Sequence, residues 1–242
     1  DALAGVSRDP AAALVSARRL VEHHPTNAPL WSVCAHAVTS MDPYRDVDDL
    51  TKRIANDSTA TNLVDALEGA TTICMVGWSG HLVDALARRG DIHALVVDSL
   101  GDGQDALRYL SRRELSCELV APEGMASAAE SADATILSAL AVGDESVLCV
   151  GGSLALAAVA YCVQQPVWMV ASEGTRLPSG LFTAMVNGVR DRPDPWASGF
   201  DVVSHALITS VFGPTISSGS ADTLARMTTC PAADELLRRS VV

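Results

Sequence analysis

Thr72-Ile73-Cys74-Met75-Val76 runs directly into Gly77-Trp78-Ser79-Gly80-His81 and then Leu82-Val83-Asp84-Ala85-Leu86-Ala87-Arg88-Arg89. The first five residues are apolar or β-branched without alternation, the pattern of a strand buried on both faces. Two glycines and a serine allow a tight turn, after which the apolar residues recur at helical spacing. The unit repeats downstream. Short apolar runs at Ala94–Asp98, Cys117–Ala121, Ala134–Leu137, Val147–Val150, Pro166–Ala171 and Asp201–Val203 alternate with helical patterns over 79–89, 102–113, 124–132, 153–164 and 180–188. Such alternation predicts a parallel, doubly wound sheet.

The first third reads as helices. Asp9-Pro10 supplies an N-cap and a proline at the first helical position. Leu14, Val15, Ala17, Leu20 and Val21 then recur at helical spacing; Pro25–Pro29 punctuates, and Leu30, Trp31, Cys34, Ala37 and Val38 form a second stripe. Asp42-Pro43 turns the chain, and Ser58 is placed to cap a helix closed by Gly69. The division implied is a helical N-terminal domain over 1–69 and an α/β domain over 70–242. Within the latter, Asp191–Gly199 reads as a proline-rich loop and Asp222–Arg239 as amphipathic helix broken near Pro231.

Of 242 residues, 48% are hydrophobic and 19% charged, which excludes disorder. The net charge is −12 and Lys52 is the sole lysine, so the chain repels phosphate backbones and anionic lipids; nucleic-acid and membrane partners are not expected. The most apolar stretch, Val147–Val159, falls short of the roughly 18 residues of a membrane span. The opening, from Asp1, shows no basic segment followed by an apolar one, so no signal peptide is read and a cytoplasmic location is expected. The six cysteines are widely spaced without a CxxC pair and suit free thiols in a reducing compartment. No metal-ligand spacing, P-loop or GxSxG elbow occurs, and no cofactor is expected.

In a parallel sheet, ligands bind beyond the carboxyl ends of the strands. Gly77, Trp78, Ser79, Gly80 and His81 stand there, either as a plain strand–helix turn capped by Ser79 or as an anion site at a helix N-terminus. Asp98, followed by Ser99-Leu100-Gly101-Asp102-Gly103-Gln104, is either part of a capping turn or a carboxylate for the hydroxyls of a sugar-like ligand, with Gln104 beside it. Gly151, Gly152 and Ser153 open an apolar helix, as tight packing or as a second anion nest. Ser172, with Glu173-Gly174-Thr175, ends the next strand and is placed in the same cleft. His23 and His24 lie at a helix end, where an imidazole suits the dipole; His36 reads as a structural histidine.

Several segments, in order, resemble the family of initiation factor 2B α/β/δ subunits, methylthioribose-1-phosphate isomerase and ribose-1,5-bisphosphate isomerase. Ala132–Leu137 resembles the strand before that family's Gly-Ala-Asp or Gly-Ala-Glu signature, and Val150–Ala158 its Asn-Lys-Ile-Gly-Thr segment. Pro166–Ala171 is similar to its Pro-Val-Tyr-Val-x-Ala strand, and Phe200–Val203 with Leu207-Ile208-Thr209 to its Tyr/Phe-Asp ending. His24–Leu30 resembles the isomerases' Arg-Pro-Thr-Ala-Val-Asn-Leu. The resemblance implies a helical N-terminal domain, a Rossmann-like C-terminal domain of the NagB/RpiA/CoA-transferase type, and a sugar-phosphate ligand.

The family's catalytic groups are missing. Gly77 stands where the isomerases place a cysteine, and Leu140 where they place the aspartate of Gly-Ala-Asp. His24 and Leu100 replace two arginines, and Cys149-Val150 replaces Asn-Lys. Without acid and thiol, proton transfer between the sugar C1 and C2 has no agent at those positions. The expectation is therefore a protein that binds a small polar metabolite, phosphorylated or not, without isomerase activity. The alternatives are a sugar-phosphate isomerase with relocated catalytic groups and a regulatory or scaffold subunit. A homodimer is expected, with the apolar stripes Leu181, Phe182, Met185, Val186 and Leu207, Ile208, Val211, Phe212 as interface.

Overall fold

The structure, a computed structural model, describes residues 9–191 and 193–238. The reading of the chain's opening, Arg192 of the proline-rich loop and Arg239 of the tail lie outside the described residues. Four helices come first: α1 (Pro10–His23), α2 (Ala28–Thr39), α3 (Pro43–Ala55) and α4 (Thr59–Ala66). Asp9 Oδ1 accepts the N–H groups of Ala11 (3.0 Å) and Ala12 (3.3 Å), with Pro10 at the first helical position. Asn27 and Asp42 cap α2 and α3 in the same manner. Asp42-Pro43 thus starts a helix rather than merely turning the chain. Ser58 occupies the N-cap of α4 without capping it; its hydroxyl donates to Pro214 O instead, and Asp57 Oδ1 takes the N–H of Thr59.

Then follow β1 (Thr72–Val76), α5 (Gly80–Arg89), β2 (His93–Val97), α6 (Asp102–Ser111), β3 (Cys117–Val120), α7 (Met125–Ser131), β4 (Ala134–Ser138), β5 (Ala141–Val142), β6 (Ser146–Val150), α8 (Ser153–Cys162), β7 (Val167–Val170), α9 (Ser179–Arg190), β8 (Phe200–Ser204), β9 (Ser210–Gly213), β10 (Ile216–Gly219) and α10 (Asp222–Arg226). The main sheet has seven strands in the order β10-β9-β7-β4-β1-β2-β3, parallel except for the β9–β10 hairpin. The winding reverses between β1 and β4, which makes the crevice beyond their carboxyl ends the switch point of the sheet.

Both faces of β1 are buried, as its unbroken hydrophobicity requires. Ile73 and Met75 pack with Leu63 of α4 and Leu82 and Leu86 of α5, while Cys74 and Val76 pack with Leu156 and Ala157 of α8. Val147–Val150 and Asp201–Val203 are strands, but not of the parallel sheet. They form a separate antiparallel sheet, β5-β6-β8. Helices α1 and α2 pack on this small sheet and on α9 through Ala17, Trp31, Leu148, Leu181 and Met185.

The stripes read as a dimer interface are core. Leu181, Phe182, Met185 and Val186 are buried against α1, α2 and the small sheet; Ile208, Val211 and Phe212 are buried in and beside β9, with Leu207 packed against them. Their burial leaves little apolar surface for a second copy, with Leu207 alone of the eight only partly buried.

All six cysteines are free; Cys34, Cys74, Cys149 and Cys230 are buried and Cys162 is exposed. No helix among the described residues is long and apolar enough to cross a membrane.

Candidate functional site

A cleft of about 530 Å³ opens beyond β1, lined by Thr26, Trp78, Asp102, Asp105, Leu140, Val150 and Phe200. Chain reversals bring these residues together: Trp78 follows β1, the two aspartates lie in the first turns of α6, Leu140 follows β4, and Val150 and Phe200 are paired across β6 and β8. Thr26 comes from the loop between α1 and α2. The wall is mostly apolar, and its ionisable groups are two carboxylates, suited to hydroxyl or ammonium donors.

Of the expected constellation, Trp78 lines the cleft, and the loops carrying Gly77 and Gly151 adjoin it. A Cβ on Gly77 would meet Val150 at 3.3 Å, Asp102 at 3.6 Å and Ser99 at 3.7 Å, and the φ of +62° at Gly77 is one that favours glycine. Ser99 Oγ donates to Gly151 O (2.6 Å), tying the loop after β2 to the loop after β6. Gly152 lies against Val76, where a Cβ would come 3.3 Å from its side chain.

The helix N-termini differ in what they already hold. At α8, the N–H of Gly151 donates to Gly199 O (2.7 Å), and the N–H of Leu154 donates to Asp201 Oδ2 (3.0 Å). The Asp201 carboxylate therefore takes up one N–H at the helix start where Gly151, Gly152 and Ser153 were expected to form an anion nest, and no residue within that turn announces it. At α6, Gly103 N–H donates to Asp98 Oδ1 (3.0 Å), so Asp98 works as the cap of its own turn; the N-cap position is Gly101, with Asp102 one residue on. At α5, Ser79 stands at the N-cap but makes no capping bond. Its hydroxyl instead contacts that of Ser138 at the end of β4, bridging the switch point. The N-terminus of α5 is the one of the three that no carboxylate among the described residues caps.

Beside it His81, half-buried, has Nε2 3.8 Å from Asp57 Oδ2; the Asp57 side chain is 4% exposed and also accepts the N–H of Glu173 (2.7 Å). An imidazole facing a buried carboxylate is a proton-handling pair in outline. Asp57 was not singled out from sequence: it precedes α4, and nothing local places it beside His81.

Other expected residues lie apart. His24 is the exposed C-cap of α1, and its carbonyl accepts the Trp31 indole N–H (3.1 Å); Thr26, two residues on, reaches the cleft. Gln104 is exposed on α6 outside the lining. Ser172 lies beyond β7, where the N-terminal helices cover the sheet edge: Ser32 Oγ donates to Gly174 O (2.7 Å), and Arg53 pairs with Glu173 (3.0 Å). No thiol stands in the cleft. Burial pushes the Cys34 and Cys74 thiols up to about 12, which leaves neither as a nucleophile at neutral pH. Among the described residues, no group of three His, Cys, Asp or Glu side chains could hold a metal ion.

No protein-family model matches the chain, and no curated protein matches its sequence. Solved structures share its fold. Translation initiation factor eIF-2B of Pyrococcus horikoshii OT3 matches with a TM-score of 0.68 at 12% identity, over 89% of this chain and 88% of that one. The eIF2B beta subunit of Chaetomium thermophilum matches with a TM-score of 0.66 at 12% identity, over 92% and 78%. A chain of the tetrameric eIF2B-beta2-delta2 complex from C. thermophilum matches with 0.60 at 18% identity, over 74% and 66%. The chain has an eIF2B-like α/β fold.

Proposed function

We propose that the chain binds a small polar metabolite in the cleft beyond β1 and does not carry the isomerase activity of the enzymes its sequence resembles. The carrying observation is Leu140. It lines the cleft at the position where the resemblance implies the catalytic aspartate, while Gly77, in place of the thiol, abuts Val150 and Asp102. An apolar side chain therefore stands in the cleft where the resemblance implies the acid. Asp102 and Asp105 favour a polyhydroxylated or amine-bearing ligand; a phosphate would be held away from them, at the uncapped N-terminus of α5 with His81. The division into a helical unit over 1–69 and an α/β unit over 70–242 belongs to the same proposal, the first closing the cleft with Thr26 and the second providing its floor.

The test is turnover of methylthioribose 1-phosphate and ribose 1,5-bisphosphate. One missing acid–base group costs on the order of 10²–10⁴ in rate, and two are absent, so no conversion is expected. A kcat of about 1 per second overturns the proposal in favour of the second reading, an isomerase using relocated groups. His81 and Asp57 are the observation behind that reading, and loss of conversion in Asp57→Asn would assign them.

A homodimer is proposed as well, on surface other than the stripes in the core. Leu100 is 81%, Trp196 84% and Leu154 41% exposed, and their segments meet at Gly199, against which Leu100 packs and to which Gly151 is hydrogen-bonded. One structural neighbour is a chain of a tetrameric complex, which supports assembly in kind, including a regulatory-subunit role. Sedimentation of wild type and Leu100→Asp/Trp196→Asp tests this; a monomer in both would exclude it.

A further inference from the structure

We propose that the groove on the outer side of α6 is a binding site for a planar anion, an aromatic or heteroaromatic ring carrying a phosphate. The groove measures about 400 Å³ and is lined by Trp78, Asp105, Arg108, Tyr109, Arg112 and Arg113, a size within the range of small-molecule sites. Its floor is aromatic. Trp78 and Tyr109 meet edge to face, with centroids 5.3 Å apart and planes at 87°. The Tyr109 hydroxyl is anchored by donating to Asp84 (2.6 Å), and the Arg113 guanidinium lies 3.7 Å from the Tyr109 ring centroid. Trp78 remains 39% exposed and offers indole surface to an incoming ring.

The charge is out of keeping with the rest of the molecule. The chain has 17 Lys and Arg against 29 Asp and Glu, yet three arginines fall within 108–113 and face one groove. Arg108 is paired with Asp105. Among the described residues, no hydrogen bond or ion pair engages the Arg112 guanidinium, and Arg113 is engaged by the Tyr109 ring. Cations at the end of α6 suit its dipole, but a dipole requires neither a concavity nor an aromatic floor. Arginine forks beside exposed rings are the chemistry that takes a phosphate bidentately while stacking a flat group. Because the surrounding field is negative, the anion must be held by short contacts, and a planar ring on Trp78 adds them. The groove shares Trp78 and Asp105 with the cleft, but its three arginines lie outside that cleft.

The test is isothermal titration of the full chain with phenyl phosphate, with phenol and inorganic phosphate as comparisons. Saturable binding of phenyl phosphate is expected, tighter than either comparison and weakened by salt. Arg112→Gln/Arg113→Gln should reduce its affinity roughly tenfold or more, and Trp78→Ala several-fold, with circular dichroism unchanged. Leu140→Trp, which fills the neighbouring cleft, should leave it unaltered. The proposal is overturned by equal affinity in wild type and the double arginine variant, by loss of binding in Leu140→Trp, by no saturation below roughly 10 mM, or by an acidic peptide that binds the arginines in preference to phenyl phosphate.

Discussion

Replacing Asp201 with alanine isolates the feature that decides where the chain can hold an anion. Gly152, with φ +88°, is the N-cap of α8 and has no side chain to offer, and the first turn contains no acidic residue. The negative charge at this ten-residue helix comes from β8, through the 3.0 Å bond that Leu154 N–H donates to Asp201. Losing a capping acceptor costs about 0.5–2 kcal/mol. Loss of a carboxylate beside a helix N-terminus adds about 0.3–1 kcal/mol, toward the upper end because Asp201 is half-buried. A loss of about 1–3 kcal/mol, at roughly 2–4 °C per kcal/mol for a chain of this size, lowers Tm by about 2–12 °C. Asp201→Asn keeps an acceptor and should lose less. The variant also gains a vacant N-terminus, so sulfate should raise its Tm more than it raises that of wild type, with chloride at matched ionic strength as reference. Differential scanning calorimetry reads both effects. An unchanged Tm, or equal sulfate responses, would refute the assignment of Asp201 as the resident anion of α8.

Other substitutions probe the frame around the cleft. Gly143→Ala places a Cβ 2.5 Å from Phe182 Cε1; overpacking of about 1–3 kcal/mol is expected, and Phe182→Leu should recover most of it in a double-mutant cycle by urea unfolding. Asp133 accepts the N–H groups of Thr71 (2.8 Å) and Thr72 (3.0 Å). The bonds from Thr72 and then Thr71 hold its carboxyl below the ordinary carboxylate range. A carboxyl lowered on folding contributes stability that is present above its unfolded value, near 3.9, and lost as pH falls through the folded one. The Tm advantage of wild type over Asp133→Asn should therefore be constant above about pH 5 and shrink below about pH 4.

The parallel sheet was legible because burial on both faces leaves unbroken apolar runs such as Ile73–Val76, and because prolines and capping residues mark the N-terminal helices. The pairing of Val147–Val150 and Asp201–Val203 was not. β6 is buried on both sides within an antiparallel sheet, and hydrophobicity that does not alternate cannot distinguish that setting from a parallel one. Helix α3 escaped notice because Leu50 is its one buried residue, so its apolar stripe is thin. Strands β9 and β10 were missed because Val211 and Phe212 read equally well as surface for a partner. At the site, glycine turns revealed where backbones meet, at Gly77 and Gly151. Which turns were already occupied depended on Asp201 and Asp98, whose partners are set by the tertiary fold. Asp57 reaches His81 from a helix start with no motif to mark it.

The central claim is that the cleft around Trp78 and Leu140 holds a metabolite. Thermal shift of wild type and Leu140→Trp, run in parallel against neutral sugars, sugar phosphates and nucleoside monophosphates, tests it most directly. A ligand at 100 times its Kd stabilises by about 2.7 kcal/mol, or roughly 5–10 °C here. The account predicts such a shift for at least one class in wild type and its absence in a folded Leu140→Trp. A panel that moves neither protein, or moves both equally, would contradict it.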